Sequence, residues 1–188
     1  MWYSWRARLF CAIVPVPLLL SVFAFAMSVT IDRVIELRRH ALVRHSPDEM
    51  FDLVNDVEAY PSRFSWCAAA KVVARESDSV LIARLDLRFA GFTQSFTTRN
   101  TGERPLRLHM HLVEGPLKSL DGEFTFTPLG APATSSTASP VPSGCRIALA
   151  LDFDYSGLLA GAALRLGFQG LAGRLVDDFV RAAHKVHG

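Results

Sequence analysis

The chain has 188 residues, half of them apolar and 20% charged, with a formal net charge of +2 at pH 7. That length suits one domain with a real core rather than two, and the near-balanced charge excludes a chain built as a whole for nucleic acid. Cys11, Cys67 and Cys145 form no Cys-x-x-Cys pair, which excludes a zinc ribbon or a disulfide framework and fits reduced thiols in the cytoplasm.

Residues 1–33 read as an extension ahead of the domain. Arg6 and Arg8 precede an apolar run from Leu9 to Ala26 that closes on Ala24-Phe25-Ala26. Three readings stay open. The start codon is set too far upstream, with Met27 or Val34 as internal starts; or the run is a secretory signal, whose three parts are all present; or it is a short membrane anchor, against which Pro15 and Pro17 argue. On any of the three, the domain is expected over 34–188.

The stretch from Val34 to Val43 predicts a first strand. Ser46-Pro47-Asp48-Glu49 is a helix start: Ser46 can cap, Pro47 suits the first helical position, and Glu49 completes a capping box. Met50, Phe51, Leu53 and Val54 give that helix an apolar stripe, and it must end before Pro61. A short turn from Asn55-Asp56 then leads into Tyr60-Pro61. Lys71 to Arg75 predicts a strand that pairs with the next.

Alternation is the clearest signal that follows. Leu81, Ala83, Leu85, Leu87 and Phe89 share one face, against Arg84, Asp86 and Arg88. After a turn at Gly91, Phe92, Gln94 and Phe96 share a face. Beyond Gly102 to Pro105 come Leu106, Leu108, Met110 and Leu112. Past Gly115-Pro116 come Leu120, Gly122, Phe124 and Phe126. The final series is Cys145, Ile147, Leu149, Leu151, Phe153 and Tyr155. Each strand is apolar on one side and wet on the other, as in an antiparallel sheet with one covered face. The segment 129–144, rich in Pro, Ser, Thr and Ala, reads as a disordered loop interrupting a hairpin.

After Gly157 the period becomes helical. Leu164, Phe168, Leu171, Leu175 and Phe179 form a stripe that continues toward His187. Gly161, Gly167, Gly170 and Gly173 either allow close backbone approach or are simply tolerated. The fold expected is α+β, with a curved antiparallel sheet wrapped around this long helix. Such a cup holds either a packed core or an apolar ligand cavity, and the pattern alone does not choose.

Catalytic motifs are missing: there is no GxSxG, P-loop, HExxH or GxGxxG before a helix. His109 and His111 share a strand face with no third metal ligand nearby in sequence, so no metal site is expected. Cys67 reads as inert packing, and His184 and His187 as solvent-exposed cations at a helix C-terminus. On the outer face, Arg84, Arg88, Arg99, Arg107, His109 and His111 fall on three successive strands, while Asp121, Glu123, Asp152 and Asp154 fall on the next two. If those strands are neighbours, half of the wet face is basic and could touch RNA phosphates.

Three ordered blocks carry a family resemblance. Asn55-Asp56-Val57-Glu58-Ala59-Tyr60-Pro61 with Phe64 and Trp66-Cys67 is the first; Gly115-Pro116-Leu117-Lys118-Ser119-Leu120-Asp121-Gly122 is the second; Phe168, Leu171, Val176, Phe179 and Arg181-Ala182 are the third. Together they resemble the coenzyme-Q-binding START family, which includes bacterial ribosome-association toxins, over residues 34–188. Phe64-Ser65 stands where the family has Leu-Pro, Leu117 where it has Phe, and Phe124 where it has Trp.

The resemblance implies a START-like helix-grip fold, and some relatives in the wider superfamily are cyclases; the missing catalytic constellations point to a non-enzymatic protein that needs no cofactor. It implies a ubiquinone-type lipophilic ligand and a role in respiration. The ligand-contact set expected is Phe64, Trp66, Phe89, Phe92, Gln94, Phe96, Leu112, Phe124, Phe126, Phe153, Tyr155 and Phe168, with the Trp66 loop either a packed plug over the core, a gate to the cup, or an aromatic tip that dips into a membrane interface. The toxin branch implies instead contact with the large ribosomal subunit, a block of subunit association and inhibited translation initiation, with the four arginines as RNA contacts. A monomer or weak oligomer is expected on either branch.

Overall fold

The computed structural model describes residues 34–130, 144–155 and 162–188. The three readings of residues 1–33, and the disorder expected within 131–143, lie outside the described residues.

Seven strands, β1 (Ile35–Val43), β2 (Cys67–Ser77), β3 (Val80–Phe89), β4 (Phe92–Glu103), β5 (Arg107–Glu114), β6 (Ser119–Leu129) and β7 (Gly144–Asp154), form one antiparallel sheet in the order β1-β7-β6-β5-β4-β3-β2. Every neighbour from β2 to β7 is also a neighbour in sequence. β1 alone travels, crossing to pair with β7 from Ile35↔Phe153 to Val43↔Cys145. Between β1 and β2 lie helix α1 (Pro47–Asn55), a single 3-10 turn (Val57–Ala59) and helix α2 (Tyr60–Arg63); helix α3 (Ala162–Val186) ends the chain.

Local chemistry sets these boundaries. Ser46 caps α1 as its sequence demands: its hydroxyl accepts from Glu49 N at 3.3 Å, while the Glu49 carboxylate accepts from Ser46 N at 2.7 Å. β3 turns into β4 through Ala90 and Gly91, both at positive φ, which matches the right-handed twist of the flanking strands. β6 and β7 remain paired out to Leu129↔Gly144, so the interrupting loop is two residues shorter than 129–144.

Curvature has an identifiable origin. Three register shifts break the β2–β3 ladder, between Cys67 and Ala69, Val72 and Ala74, and Arg75 and Ser77, and a fourth lies at Thr97/Thr98 between β4 and β5. Each shift bends its strand and adds local twist. The apolar face therefore closes around α3, whose Phe168, Leu171, Ala172, Val176 and Phe179 are buried against it. The glycines of α3 do not act alike. A methyl on Gly167 would sit 2.6 Å from Ala90 Cβ, so this residue lets α3 approach the β3–β4 turn; Gly170 faces open space and is merely tolerated, and Gly161 is not among the described residues.

Candidate functional site: an apolar cavity under the C-terminal helix

The covered face is nearly, but not fully, filled. Two aromatic clusters stand at either end of α3's buried stripe. Phe179 anchors one, with ring centroids 5.5 Å from Tyr60, 5.0 Å from Phe64 and 5.5 Å from Phe124. Phe168 anchors the other, at 5.7 Å from Phe89, 5.4 Å from Phe96 and 5.0 Å from Phe153. The two anchors are eleven residues apart, about 16 Å of helix. Between them the helix offers Leu171, Ala172 and Leu175, too short to reach the sheet floor everywhere.

A cavity of ≈ 100 Å³ remains there. Leu85 and Leu87 of β3, Thr98 and Asn100 of β4, Leu108 and Met110 of β5, Leu120 and Phe124 of β6 and Leu151 of β7 form its floor; Val54, Val57, Tyr60 and Trp66 close the side toward α1. One cross-sheet row explains the dent: Asn100↔Met110↔Gly122↔Leu151. Gly122 presents no side chain inward, and the tips of Met110 and Leu151 bend over it, 2.8 and 2.9 Å from where a methyl would stand.

Two polar groups break this apolar wall. Thr98 and Asn100 are only 5% and 3% exposed, and Thr98 Oγ1 and Asn100 Oδ1 have no hydrogen-bond partner. A buried polar atom without a partner costs about 1–3 kcal/mol, so such atoms are rare in a finished core.

The tryptophan loop is a plug. Trp66 and Phe64 are each 5% exposed and stacked at 4.8 Å with an interplanar angle of 10°. Trp66 Nε1 donates to Asp178 Oδ2 at 2.9 Å, tying the loop to α3, and the Tyr60 hydroxyl donates to Val54 O. Burial pushes the Tyr60 phenol far above its ordinary pKa, so it stays a neutral donor. These rings are packed inward and are not presented to a membrane interface. No helix among the described residues is long and apolar enough to cross a membrane.

The expected contact set divides accordingly. Trp66, Phe96, Phe124 and Phe168 line the cavity. Phe64, Phe89, Phe126, Phe153 and Tyr155 are buried behind it as packing, the Tyr155 hydroxyl donating to Arg165 O at 3.3 Å. Phe92 has the inward parity but is not buried: next to the hairpin turn it is 52% exposed. Gln94 and Leu112 are half-buried and lie off the lining. The reading missed Thr98 and Asn100, although continuing the alternation of Phe92, Gln94 and Phe96 by two steps reaches both. It also left out Tyr60, Leu171, Leu175 and Phe179, which line the space.

The outer face is not divided into basic and acidic halves. Arg84 pairs with Asp86 at 3.4 Å, Arg99 with Glu76 at 2.8 Å, and Arg107 with Glu103 at 3.3 Å. Asp121 receives both His109 at 3.1 Å and His111 at 3.0 Å. Neighbours along a strand, on the paired strand and one strand beyond thus place acids beside three of the arginines; Arg88 alone of the four has no ion pair among the described residues. His184 is exposed as expected, yet its Nδ1 lies 3.2 Å from Nε2 of the buried His45, a contact the sequence pattern did not reveal.

A sheet curled around a C-terminal helix, with a small apolar space between them, defines a START-like helix-grip protein. Residues 43–180 match the family described as polyketide cyclase / dehydrase and lipid transport, and the chain belongs to that family. It is 36% identical over 152 residues to the ribosome association toxin RatA of Pseudomonas aeruginosa, covering 81% of this chain and 97% of that one. It is 34% identical to the RatA of Escherichia coli K12, covering 81% and 89%. Among solved structures it resembles the Zhui aromatase/cyclase of Streptomyces sp. R1128, with a TM-score of 0.65, 15% identity and coverage of 81% and 95%. A START superfamily protein from Mycobacterium smegmatis gives a TM-score of 0.60 at 21% identity, covering 80% and 94%. The fold is thus shared with enzymes as well as with the named toxins.

Proposed function

We propose that this protein is a non-enzymatic binder of a ubiquinone-type lipophilic molecule, held between sheet and helix in support of respiration. The observation that carries this reading is the unfilled apolar space between the two aromatic clusters. Interiors normally pack to crystal-like density, and a void is costly unless something occupies it. At ≈ 100 Å³ the space is smaller than the ~300–1,000 Å³ of typical ligand pockets. Binding therefore requires the wall to yield, and Met110, with three rotatable bonds and a tip folded over Gly122, is suited to do so. The titratable groups on the lining are the phenol of Tyr60, already committed to Val54 O, and no carboxylate or histidine, which favours holding over acid–base chemistry. Protein purified from a respiring host should release quinone on solvent extraction, read by mass spectrometry. Repeated recovery of protein without any lipophilic guest would refute the reading.

A second reading uses the outside. The RatA relatives favour a contact with the large ribosomal subunit that blocks subunit association, with the exposed and unpaired Arg88 as its leading cation. Overexpression should then make free subunits accumulate on sucrose gradients, and reversing Arg84, Arg88 and Arg107 should abolish this. Unchanged sedimentation would dismiss it.

A further inference from the structure

We infer that Thr98 and Asn100 are the polar anchor of the cavity: they receive the oxygen-bearing head of a lipophilic ligand, which enters head first. The inference rests on the ligand-binding reading above and deepens it.

Four observations converge. Both residues lie on β4 two positions apart, so their side chains emerge on the same face of the strand, roughly 7 Å apart along it. Both line the cavity, and both are more than nine-tenths buried. Thr98 Oγ1 and Asn100 Oδ1 lack any partner, although the rest of the fold satisfies its buried side-chain polar atoms among the described residues. The remaining wall is hydrocarbon and aromatic ring, with the Tyr60 hydroxyl bound to Val54 O and the Trp66 indole to Asp178.

The chemistry of these two groups narrows the guest. A hydroxyl both donates and accepts; a carboxamide offers an acceptor on one side and a donor on the other, and rotating it exchanges them. A carbonyl or a hydroxyl on the ligand is therefore met equally well. A carboxylate is not, because no cation lines the space. A pure hydrocarbon would leave both atoms unpaired and gain nothing from them. The fitting class is a neutral molecule with ring carbonyls or hydroxyls and an apolar tail, such as a quinone or its quinol. Depth follows from the same geometry. Asn100 sits in the row that runs through Met110 and Gly122 to Leu151 across the middle of the sheet. The head thus lies over the centre of the sheet, and the tail takes whatever path the wall opens.

The test compares two probes that differ in the head, decylubiquinone and decylbenzene, on the full chain and on its Thr98→Val and Asn100→Leu variants. Affinity for decylubiquinone is read by quenching of tryptophan fluorescence, affinity for decylbenzene by its relief of that quenching in competition, and stability by thermal melting without ligand. Each substitution should weaken decylubiquinone about tenfold, the equivalent of one lost hydrogen bond, and leave decylbenzene within about twofold. Ligand-free Thr98→Val should melt no lower than the wild type, since it loses an unsatisfied hydroxyl and keeps its shape; it decides if Asn100→Leu, which adds bulk, fails to fold. Equal loss for both probes, or no loss for either, overturns the polar anchor while leaving a lipophilic cavity standing. A ligand-free Thr98→Val that melts lower shows its hydroxyl already satisfied within the fold and overturns the anchor equally. A wild-type chain that takes neither probe overturns the ligand-binding reading itself.

Discussion

Phe179→Ala tests the packing logic of the cavity most directly. Phe179 is 2% exposed and stands where α3, the Tyr60–Phe64 turn and β6 meet, with three aromatic rings against its own. Truncating a buried Phe costs about 3–5 kcal/mol, the upper part when neighbours cannot collapse into the gap. Rigid rings collapse poorly, so a loss of about 4 kcal/mol is expected, or ~8–16 °C of melting temperature for a chain of this size. The new void joins the existing ≈ 100 Å³. Together they exceed the ~150 Å³ in which an apolar cavity takes up benzene. Benzene at ten times its Kd should then return about 1.4 kcal/mol to the variant and almost nothing to the wild type. Thermal melts followed by circular dichroism, with and without benzene, measure both effects. A loss below about 1 kcal/mol, or a variant indifferent to benzene, would mean that the two spaces are not continuous and that the aromatic end is not a wall of the cavity.

Three further outcomes can be checked. Ser46→Ala should lower unfolding stability in urea by about 1 kcal/mol through loss of the capping hydroxyl, and Ser46→Asp should restore most of it. Burial holds the Cys67 and Cys145 thiols up at about 11, so iodoacetamide at pH 8 should alkylate them only in denaturant, as peptide mapping will read. His45 is held below its ordinary value, first by burial and then by His184, with Glu49 opposing and His187 adding. In the window below its ordinary ~6.5 the unfolded chain binds a proton that the native chain refuses, so stability should fall as pH drops through it. His45→Gln should flatten that slope, and an unaltered slope would place its origin elsewhere.

The sequence made the frame legible because period-2 alternation and a capping box are local signals. β3, β6 and β7 bury the faces their alternation assigns, and α1 begins at its predicted cap. β4 was legible only in part. Phe92 follows the inward parity but sits beside a two-residue turn, where the sheet has no cover and the ring stays in solvent. Farther along, the run Thr97-Thr98-Arg99-Asn100-Thr101 is entirely polar, so only the parity counted on from Phe96 marks Thr98 and Asn100 as inward. The register agrees, with Thr98 opposite Ala83 and Asn100 opposite Leu81 of β3. The ion pairs of the outer face were hidden for a similar reason. Glu76 and Arg99 are far apart in sequence, and a reading strand by strand counts the charges without seeing who neighbours whom.

The three blocks that carry the family resemblance have a common physical task, which sets the limit of what they imply. Tyr60, Phe64 and Trp66 from the first and Phe179 from the third make one aromatic plug, fastened by the Trp66–Asp178 hydrogen bond. Leu120 and Gly122 from the second shape the floor. The blocks thus specify that a cup exists and that one end is sealed. Thr98, Asn100 and Met110 belong to none of them, yet they are the polar atoms and the adaptable wall of the same space. Discrimination between guests depends on which buried groups are left unpaired by the wrong one, and here those groups lie on β4. Proteins that share all three blocks can therefore share the cup and hold different molecules in it. The Phe124 ring, smaller than the Trp of the family pattern and placed on the cavity wall, is a second position where such a difference enters.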